Sequence, residues 1–503
     1  MMKIITTEQA RAADKFTIDQ EPVRSIDLME RAAASCIVPL SGRISPSTVV
    51  RFFCGPGNNG GDGLALARMM HERGYDVAVY AIGEIARYSS DRSANTARFV
   101  ESAPQRYFEV IQENDLPVNG FGECWVDALF GTGISSAPTG LFRAAIERIN
   151  LSGAFVVSID VPSGLKADQF PPDPSAVVRA GMTLSFQFPK LSFLLPDTGR
   201  FAGEWIVTDI GLHPKFVRDV TTDSYLFAAR EASELFKQRE PFSHKGLYGH
   251  AMLFAGSYGK SGAAVLAARA CLRSGVGLLT VHVPSGSVDI LQISVPEAMV
   301  SPDTDPELVS GFAGDLNRFS AIGIGPGIGT DHRTVGLLSK ILSSGIPLVL
   351  DADALNILSE NKELLASLPA GAVLTPHPKE FERMTQPVSD GFERLRLQRE
   401  FARKFGVTVV LKGRHTCTVT PDGVAYFNAS GNAGLARGGS GDLLTGLILS
   451  FLAQGYRPED AACLGVYIHG KAADEVAGRS SMQGMIPSDV IEQLPMTFRD
   501  LEG

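Results

Sequence analysis

One repeating pattern constrains this chain more than its composition does. Short apolar runs of β character each end in a loop of Gly, Pro, Asn or Asp, and a helical run follows. Residues 48–81 carry the clearest instance. Residues 48–54 are a β-type run, and the stretch Gly55-Pro56-Gly57-Asn58-Asn59-Gly60-Gly61-Asp62-Gly63 follows as a loop. Residues 64–73 then read as a helix and residues 76–81 as the next strand. Strand, helix and strand in this order form a βαβ unit, which requires parallel pairing. Further strands are expected at 124–130 and 155–160, ending in Gly131-Thr132-Gly133 and Val161-Pro162-Ser163-Gly164. Loops at the carboxyl ends of strands are where doubly wound sheets hold ligands.

The rhythm stops and restarts. Residues 211–245 are polar and show no compelling strand, which puts a boundary near residue 220 and gives domains 1–219 and 222–503. A chain of 503 residues is too long for one ordinary core. Beyond the boundary, strands are expected at 250–255, 277–283, 321–324, 347–353, 372–375 and 407–411, with an alanine-rich helix at 263–274. The fold class is α/β in both halves. They share no motif and are not repeats.

Composition excludes several function classes. Hydrophobic residues at 44% and charged residues at 20% belong to a globular chain. A net charge of −9 and the lack of a long Lys/Arg run argue against a nucleic-acid partner. The six cysteines are scattered without CxxC pairs, as reduced core thiols are. No signal-peptide core and no 18-residue apolar run is present, so a cytoplasmic protein without membrane partners is expected.

The chemistry concentrates in a few places. Residues 434–446 form a glycine-rich turn that delivers Asp442 to the start of an apolar helix, expected at 443–452. Free backbone amides at a helix start bind anions, and glycines let them approach a phosphate. A carboxylate beside bound phosphate is placed to take a proton from a hydroxyl, which points to phosphoryl transfer to an alcohol. The first-half loop, rich in Gly and Asn, can bend through positive φ and present amides to a ligand. It is neither a dinucleotide-binding GxGxxG arrangement nor a Walker A loop. Asp127 and Asp160 end apolar strands, where a carboxylate needs hydrogen bonds, a metal or a ligand cleft. With Asn59 and Ser163 they offer hard oxygen ligands, which suit a hard cation better than zinc. His377 between two prolines is expected to bind ligand, and Lys412-Gly413 to reach phosphate. On these residues alone, a small-molecule kinase with a non-catalytic N-terminal binding domain remains an alternative.

The first half resembles the NAD(P)H-hydrate epimerase family in Gly57-Asn58-Asn59-Gly60-Gly61-Asp62-Gly63, Asp127-Ala128-Leu129-Phe130-Gly131-Thr132-Gly133 and Asp160-Val161-Pro162-Ser163-Gly164. The second half resembles the ADP/ATP-dependent NAD(P)H-hydrate dehydratase family in Gly325-Pro326-Gly327-Ile328-Gly329, Asp351-Ala352-Asp353-Ala354-Leu355-Asn356, Thr375-Pro376-His377-Pro378, Leu411-Lys412-Gly413 and Gly438-Gly439-Ser440-Gly441-Asp442. The resemblance covers nearly the whole chain, in the order of the fused bifunctional repair enzymes. It implies a Rossmann-like doubly wound sheet followed by a ribokinase-like α/β domain. It further implies that Asn58, Asn59, Gly60, Gly61 and Asp62 hold the hydrated nucleotide. Gly131, Thr132, Gly133, Ile134, Ser135, Ser136 and Ala137 would form a second substrate loop, and Asp160 would meet the reacting ring. Asn59, Asp127 and Ser163 would bind K+. In the second domain Ala263, Gly327, His377 and Asp442 would meet the substrate. Lys412, Gly413, Arg414, His415, Thr416 and Gly441 would meet ADP, in preference to ATP, with Mg2+. Arg414 and His415 are bulkier than the small residues expected there. Asp160 and Asp442 are the expected catalytic residues, and a homo-oligomer is expected.

Overall fold

The computed structural model describes residues 1–502. The chain divides into two compact units. One comprises Lys3–Thr222 with Asp390–Phe392; the other comprises Met1–Met2, Asp223–Ser389 and the residues from Glu393 onward. Among the described residues no helix is long and apolar enough to cross a membrane.

In the first unit seven parallel strands lie in the order Tyr107–Val110, Asp76–Ile82, Val49–Cys54, Cys124–Ala128, Phe155–Ile159, Met182–Phe186, Glu204–Thr208. The chain builds outward from Val49–Cys54 in one direction, returns, and builds outward in the other. This is the doubly wound order, and its switch point lies between Val49–Cys54 and Cys124–Ala128. Cys54 pairs with Ala128 there, so both following loops open into one crevice. Phe52 packs in one core layer and Phe53 in the other, as the two-residue period of a strand dictates for a sheet covered on both faces.

The helix after the first strand corrects the expected loop. It spans Asn58–Glu72 with Gly57 as its N-cap, so the Asn-Gly stretch is its first turns. None of Gly55, Gly57, Gly60, Gly61 or Gly63 has positive φ. The glycines are there for close packing. A Cβ on Gly60 would lie 2.0 Å from the Gly55 carbonyl oxygen, and one on Gly63 would lie 2.5 Å from the Ala128 Cβ. The helix start is thereby pressed against the switch point.

In the second unit ten strands lie in the order Ser224–Phe227, Ala425–Asn428, Cys417–Val419, Thr408–Leu411, Val373–Leu374, Leu348–Leu350, Ala321–Ile324, His250–Phe254, Leu278–Val283, Met299–Pro302. All pairings are parallel except the two made by Cys417–Val419. Ser224–Phe227 falls inside the stretch read as polar and strandless. It pairs in parallel with Ala425–Asn428, and Tyr225 stacks on Tyr426 with ring centroids 5.8 Å apart. The helix Ser440–Ala453 is buried along almost its whole length and starts earlier than its apolar run. It crosses Ser261–Arg273 closely, since a Cβ on Gly446 would lie 2.2 Å from the Ala267 carbonyl oxygen. An apolar helix held on all sides fixes the position of its first turn, which carries Asp442.

Gly60→Ala is expected to destabilise the first unit by about 3 kcal/mol in urea unfolding, because the added methyl meets backbone that cannot rotate away. Gly57→Ala is the control. No atom lies within 4 Å of a Cβ there, and its effect is expected to stay at about 1 kcal/mol or less, the N-cap preference for glycine over alanine.

Candidate functional sites

In the first unit a cavity of about 680 Å³ opens at the switch point. Asn58, Asn59 and Asp62 line it from the helix start, residues 131–137 from the loop after Cys124–Ala128, and Asp160 from the end of Phe155–Ile159. Gly60 and Gly61 do not line it; they pack against Gly55 and Met29. Gly131 brings Asn59 and Asp160 together, for a Cβ on it would lie 3.4 Å from both the Asn59 Cβ and the Asp160 Oδ2.

Asp127 and Ser163 are fully buried and do not line the cavity. Asp127 accepts from Ser158 Oγ (2.7 Å), Ser163 N (2.8 Å), Ser163 Oγ (2.5 Å) and Leu129 N (3.3 Å). Burial pushes its carboxyl above the usual carboxylate range, and these bonds pull it only part of the way back. Ser163 Oγ also accepts from Phe130 N at 2.9 Å. Asn59 is 7% exposed, and neither of its side-chain polar atoms has a hydrogen-bond partner among the described residues. An orphaned buried amide oxygen is a fitting ligand for a hard cation.

Asp160 has φ of +64°, a left-handed backbone that is costly for a residue with a side chain. Its Oδ1 pairs with Lys190 Nζ at 3.0 Å. Two more carboxyls share the region. Burial first, then Asp160, pushes Asp14 up to about 6. Burial, then Asp160 and Asp14, pushes Asp62 well above the usual carboxylate range. The site thus gathers three carboxyl groups on one cavity, two of them pushed upward, an arrangement suited to general acid–base chemistry.

In the second unit a cavity of about 690 Å³ is lined by His377, Lys412, Gly413, Arg414, Thr416, Gly441 and Asp442, among others. Gly439, at φ +91°, is the left-handed N-cap that turns the chain into Ser440–Ala453. Asp442 occupies the first turn. Burial, then the charge of Asp351, pushes its carboxyl up to about 6, while Lys412 pulls the other way. Asp351 is 1% exposed and accepts from Lys412 Nζ (2.9 Å) and Thr445 Oγ1 (2.8 Å). A Cβ on Gly441 would lie 3.2 Å from the Lys412 Nζ, so the absent side chain leaves that ammonium clear beside the helix start.

His377 caps the helix Pro378–Met384: its Nδ1 accepts from Glu380 N at 3.2 Å, while its own N–H donates to the Glu380 carboxylate at 2.8 Å. His415 does not line the cavity. Its half-buried ring has Nδ1 at 3.0 Å from the Asn428 carbonyl oxygen, and burial pulls its pKa down to about 4. Ala263 and Gly327 also do not line this cavity. They lie together, since a Cβ on Gly327 would sit 3.2 Å from the Ala263 Cβ. Asp353 holds the nearby Gly329 N at 2.9 Å and also raises the Asp442 carboxyl, which links the two groups electrostatically.

Reasoning from sequence missed Asp14, Lys190 and His469. Asp14 lies on the helix Thr7–Gln20, where an acid reads as a solvated face. His469 lies within a long buried helix and has Nε2 at 3.2 Å from Ser440 Oγ. Lys190 carried a signal, as the one cation in the apolar run 186–195.

A family model described as YjeF-related protein N-terminus matches residues 25–192, and one described as NAD(P)H-hydrate dehydratase matches residues 251–496. A bifunctional NAD(P)H-hydrate repair enzyme of Moorella thermoacetica is 34% identical, over 100% of this chain and 97% of its own. One from Thermofilum pendens is 34% identical, over 99% and 97%. A ribokinase-like superfamily protein of Enterococcus faecalis, 28% identical, covers 56% of this chain and 98% of its own, with a TM-score of 0.50.

Asp442→Asn is expected to stabilise the second unit in a pH-dependent way. A carboxyl whose folded pKa lies above its unfolded value costs stability once ionised. The gain from Asn is therefore absent below the ordinary value of 3.8, grows as pH rises, and is complete above about 6. Urea unfolding of both proteins across pH 4 to 8 measures it.

Proposed function

The chain belongs to the family of bifunctional NAD(P)H-hydrate repair enzymes, which join an epimerase to a dehydratase, and on that premise we propose how its residues carry the two reactions. The substrate is a reduced nicotinamide nucleotide hydroxylated at ring C6, in R and S forms. Residues 1–219 interconvert the two forms, and residues 222–503 dehydrate the S form.

In the first domain Asp160 meets the reacting ring. The ring nitrogen expels the C6 hydroxyl as Asp160 manages its proton, and water returns to either face. Asn58, Asn59 and Asp62 with the 131–137 loop hold the nucleotide. Asn59, Asp127 and Ser163 hold K+. When bound, K+ supplies positive charge that orders the loops around the buried Asp127. The orphaned Asn59 amide is the support for this assignment.

In the second domain Asp442 takes the proton of the C6 hydroxyl, and the hydroxyl oxygen attacks the terminal phosphorus of ADP, whose bond to the bridging oxygen breaks to release AMP. Lys412 and the first-turn amides of Ser440–Ala453 stabilise the charge that develops on phosphate. Loss of phosphate from C6, with the C5 proton, restores the dihydronicotinamide. Among the described residues no three His, Cys, Asp or Glu form a metal-binding group, so Mg2+ fits as an ion borne by the nucleotide phosphates and water. The observation that carries this reading is Asp442 itself: a carboxyl pushed up to about 6, in the first turn of a glycine-opened helix, on a cavity it shares with Lys412. The six cysteines are all free and buried, which fits work in the reducing cytoplasm.

The test is to supply mixed R and S NADH-hydrate with ADP or ATP and follow NADH absorbance and released phosphate. A stable phosphoester in place of phosphate would indicate a kinase.

The two activities are expected to separate. Asp442→Asn should lower NADH recovery by about 10²–10⁴-fold with nucleotide binding retained, because the amide cradle remains. Asp160→Ala should stop R/S interconversion and leave dehydration of the S form unchanged. Single-turnover kinetics on each isomer reads both.

The donor is ADP in preference to ATP. Of the two bulky residues in the 412–416 loop, His415 is turned toward Asn428 and held neutral, so only Arg414 adds charge at the cavity. One added cation is a weak provision for a third phosphate. Initial rates at matched, subsaturating ADP and ATP should favour ADP; a clear ATP preference would overturn this.

A further inference from the structure

Lys190 has no role in the reaction as derived so far, and its surroundings are unusual. Its side chain is 7% exposed. An ammonium this buried is costly unless every donor is used. This one is answered on each side: Nζ donates to the Phe186 carbonyl at 3.1 Å and the Phe188 carbonyl at 3.1 Å, and forms an ion pair with Asp160 Oδ1 at 3.0 Å. The two carbonyls flank Gln187, whose φ of +57° is left-handed. Asp160 at +64° is left-handed as well. A strained residue therefore stands on each side of one ion pair, and such strain persists only where the surrounding structure enforces it.

The geometry also separates the two oxygens of Asp160. A second cavity, of about 340 Å³, adjoins the larger one, and Asp160 lines both. Lys190 lines only the smaller. Lys190 therefore holds Oδ1 from behind, while Oδ2 lies on the side of Gly131 and Asn59.

We propose that Lys190 is a positioning residue of the epimerase: it fixes the Asp160 carboxylate so that Oδ2 faces the substrate ring. The proposal rests on the assignment of Asp160 given above. Asp14 and Asp62 line both cavities with Asp160, so three carboxyl groups crowd the site. Arg11 lines both cavities too, but Lys190 is the cation paired with Asp160, and it keeps that carboxylate from turning aside among the other acids.

The test uses the full chain with Lys190→Met. Conversion of R to S hydrate is followed by chromatographic separation, and dehydration of the S form with ADP is the internal control. The expected result is a fall in epimerase kcat of at least 100-fold with KM for the hydrate unchanged, normal dehydration, and partial recovery of kcat with added methylammonium in Lys190→Ala. If Lys190→Met does not fold, Lys190→Arg keeps the charge but not the geometry of the two carbonyl contacts; kcat is then expected to fall about tenfold at constant KM. A wild-type kcat in Lys190→Met, or a raised KM with kcat intact in either variant, overturns the proposal. Asp160→Ala separates the two levels. If it still epimerises, the assignment of Asp160 fails; if it is inactive while Lys190→Met is normal, only the role of Lys190 fails.

Discussion

Asp127 is a carboxylate with no access to water at the end of a parallel strand, and the N-terminal site is built around the bonds that answer it. It takes four hydrogen bonds, from its own following loop at Leu129, from the neighbouring strand at Ser158, and from the next loop at Ser163. Hydrogen bonds to a charged group each contribute about 1.5–3 kcal/mol, and leaving the group unanswered costs more than any one of them returns. The loops that carry Gly131 and Asp160 are therefore not free to drift: moving one strips a donor from the buried carboxylate. The second unit solves the same problem with a cation. Asp351 ends the strand Leu348–Leu350 and is answered by Lys412 and Thr445, which come from two further segments. Burial favours the neutral form of Asp351, yet Lys412 and its hydrogen bonds hold the carboxyl below the usual range. In both units a carboxylate that does no chemistry ties together the segments that carry the ones proposed to.

The contrast with Asp442, Asp14 and Asp62 follows from the same physics. These carboxyls are enclosed without a matching set of donors, so burial and the charge of neighbouring acids raise them. A raised carboxyl changes protonation near neutral pH and is useful as an acid or base. Asp127 is raised by burial as well, but its four donors hold its carboxyl in place, whereas Asp442, Asp14 and Asp62 lack such a set.

The architecture was legible where apolar runs end in glycine-rich loops, because parallel strands buried on both faces are nearly uniform in hydrophobicity. The strands Val49–Cys54, Cys124–Ala128 and Ala321–Ile324 are of this kind. Met182–Phe186 was not legible: Thr183 and Ser185 interrupt it, yet both are fully buried with their hydroxyls on the Ala202 and Phe188 carbonyls. Ser224–Phe227 was hidden in polar sequence because its order depends on pairing with residues some 200 positions away. The Asn-Gly stretch was located, but its conformation was misread. Glycine signals positive φ or close approach equally well in sequence, and only the position of Gly55 and Ala128 decides for the second. Lys190 was passed over for a related reason: nothing local says that the carbonyls of 186 and 188 and the carboxylate of 160 converge on it.

Backbone strain marks both sites. Asp160, Gln187 and Ala352 have φ of +64°, +57° and +46°, and each follows the end of a parallel strand where the ligand cavities open. Such conformations cost about 1–3 kcal/mol each in a residue with a side chain. Glycine would remove that cost at each position. At 160 it would also remove the carboxylate, and at 187 the Gln187 amide that receives Ile210 N at 3.1 Å. A strand end must turn sharply to present a side chain to a cleft, and the sharp turn is what a side chain resists. Gln187 shows the strain put to use, since its kink aims the carbonyls on either side of it at one ammonium, and that ammonium grips the side chain of the other strained residue. Relaxing either turn would therefore loosen both, which makes the pair of strained residues a single device and not two separate defects.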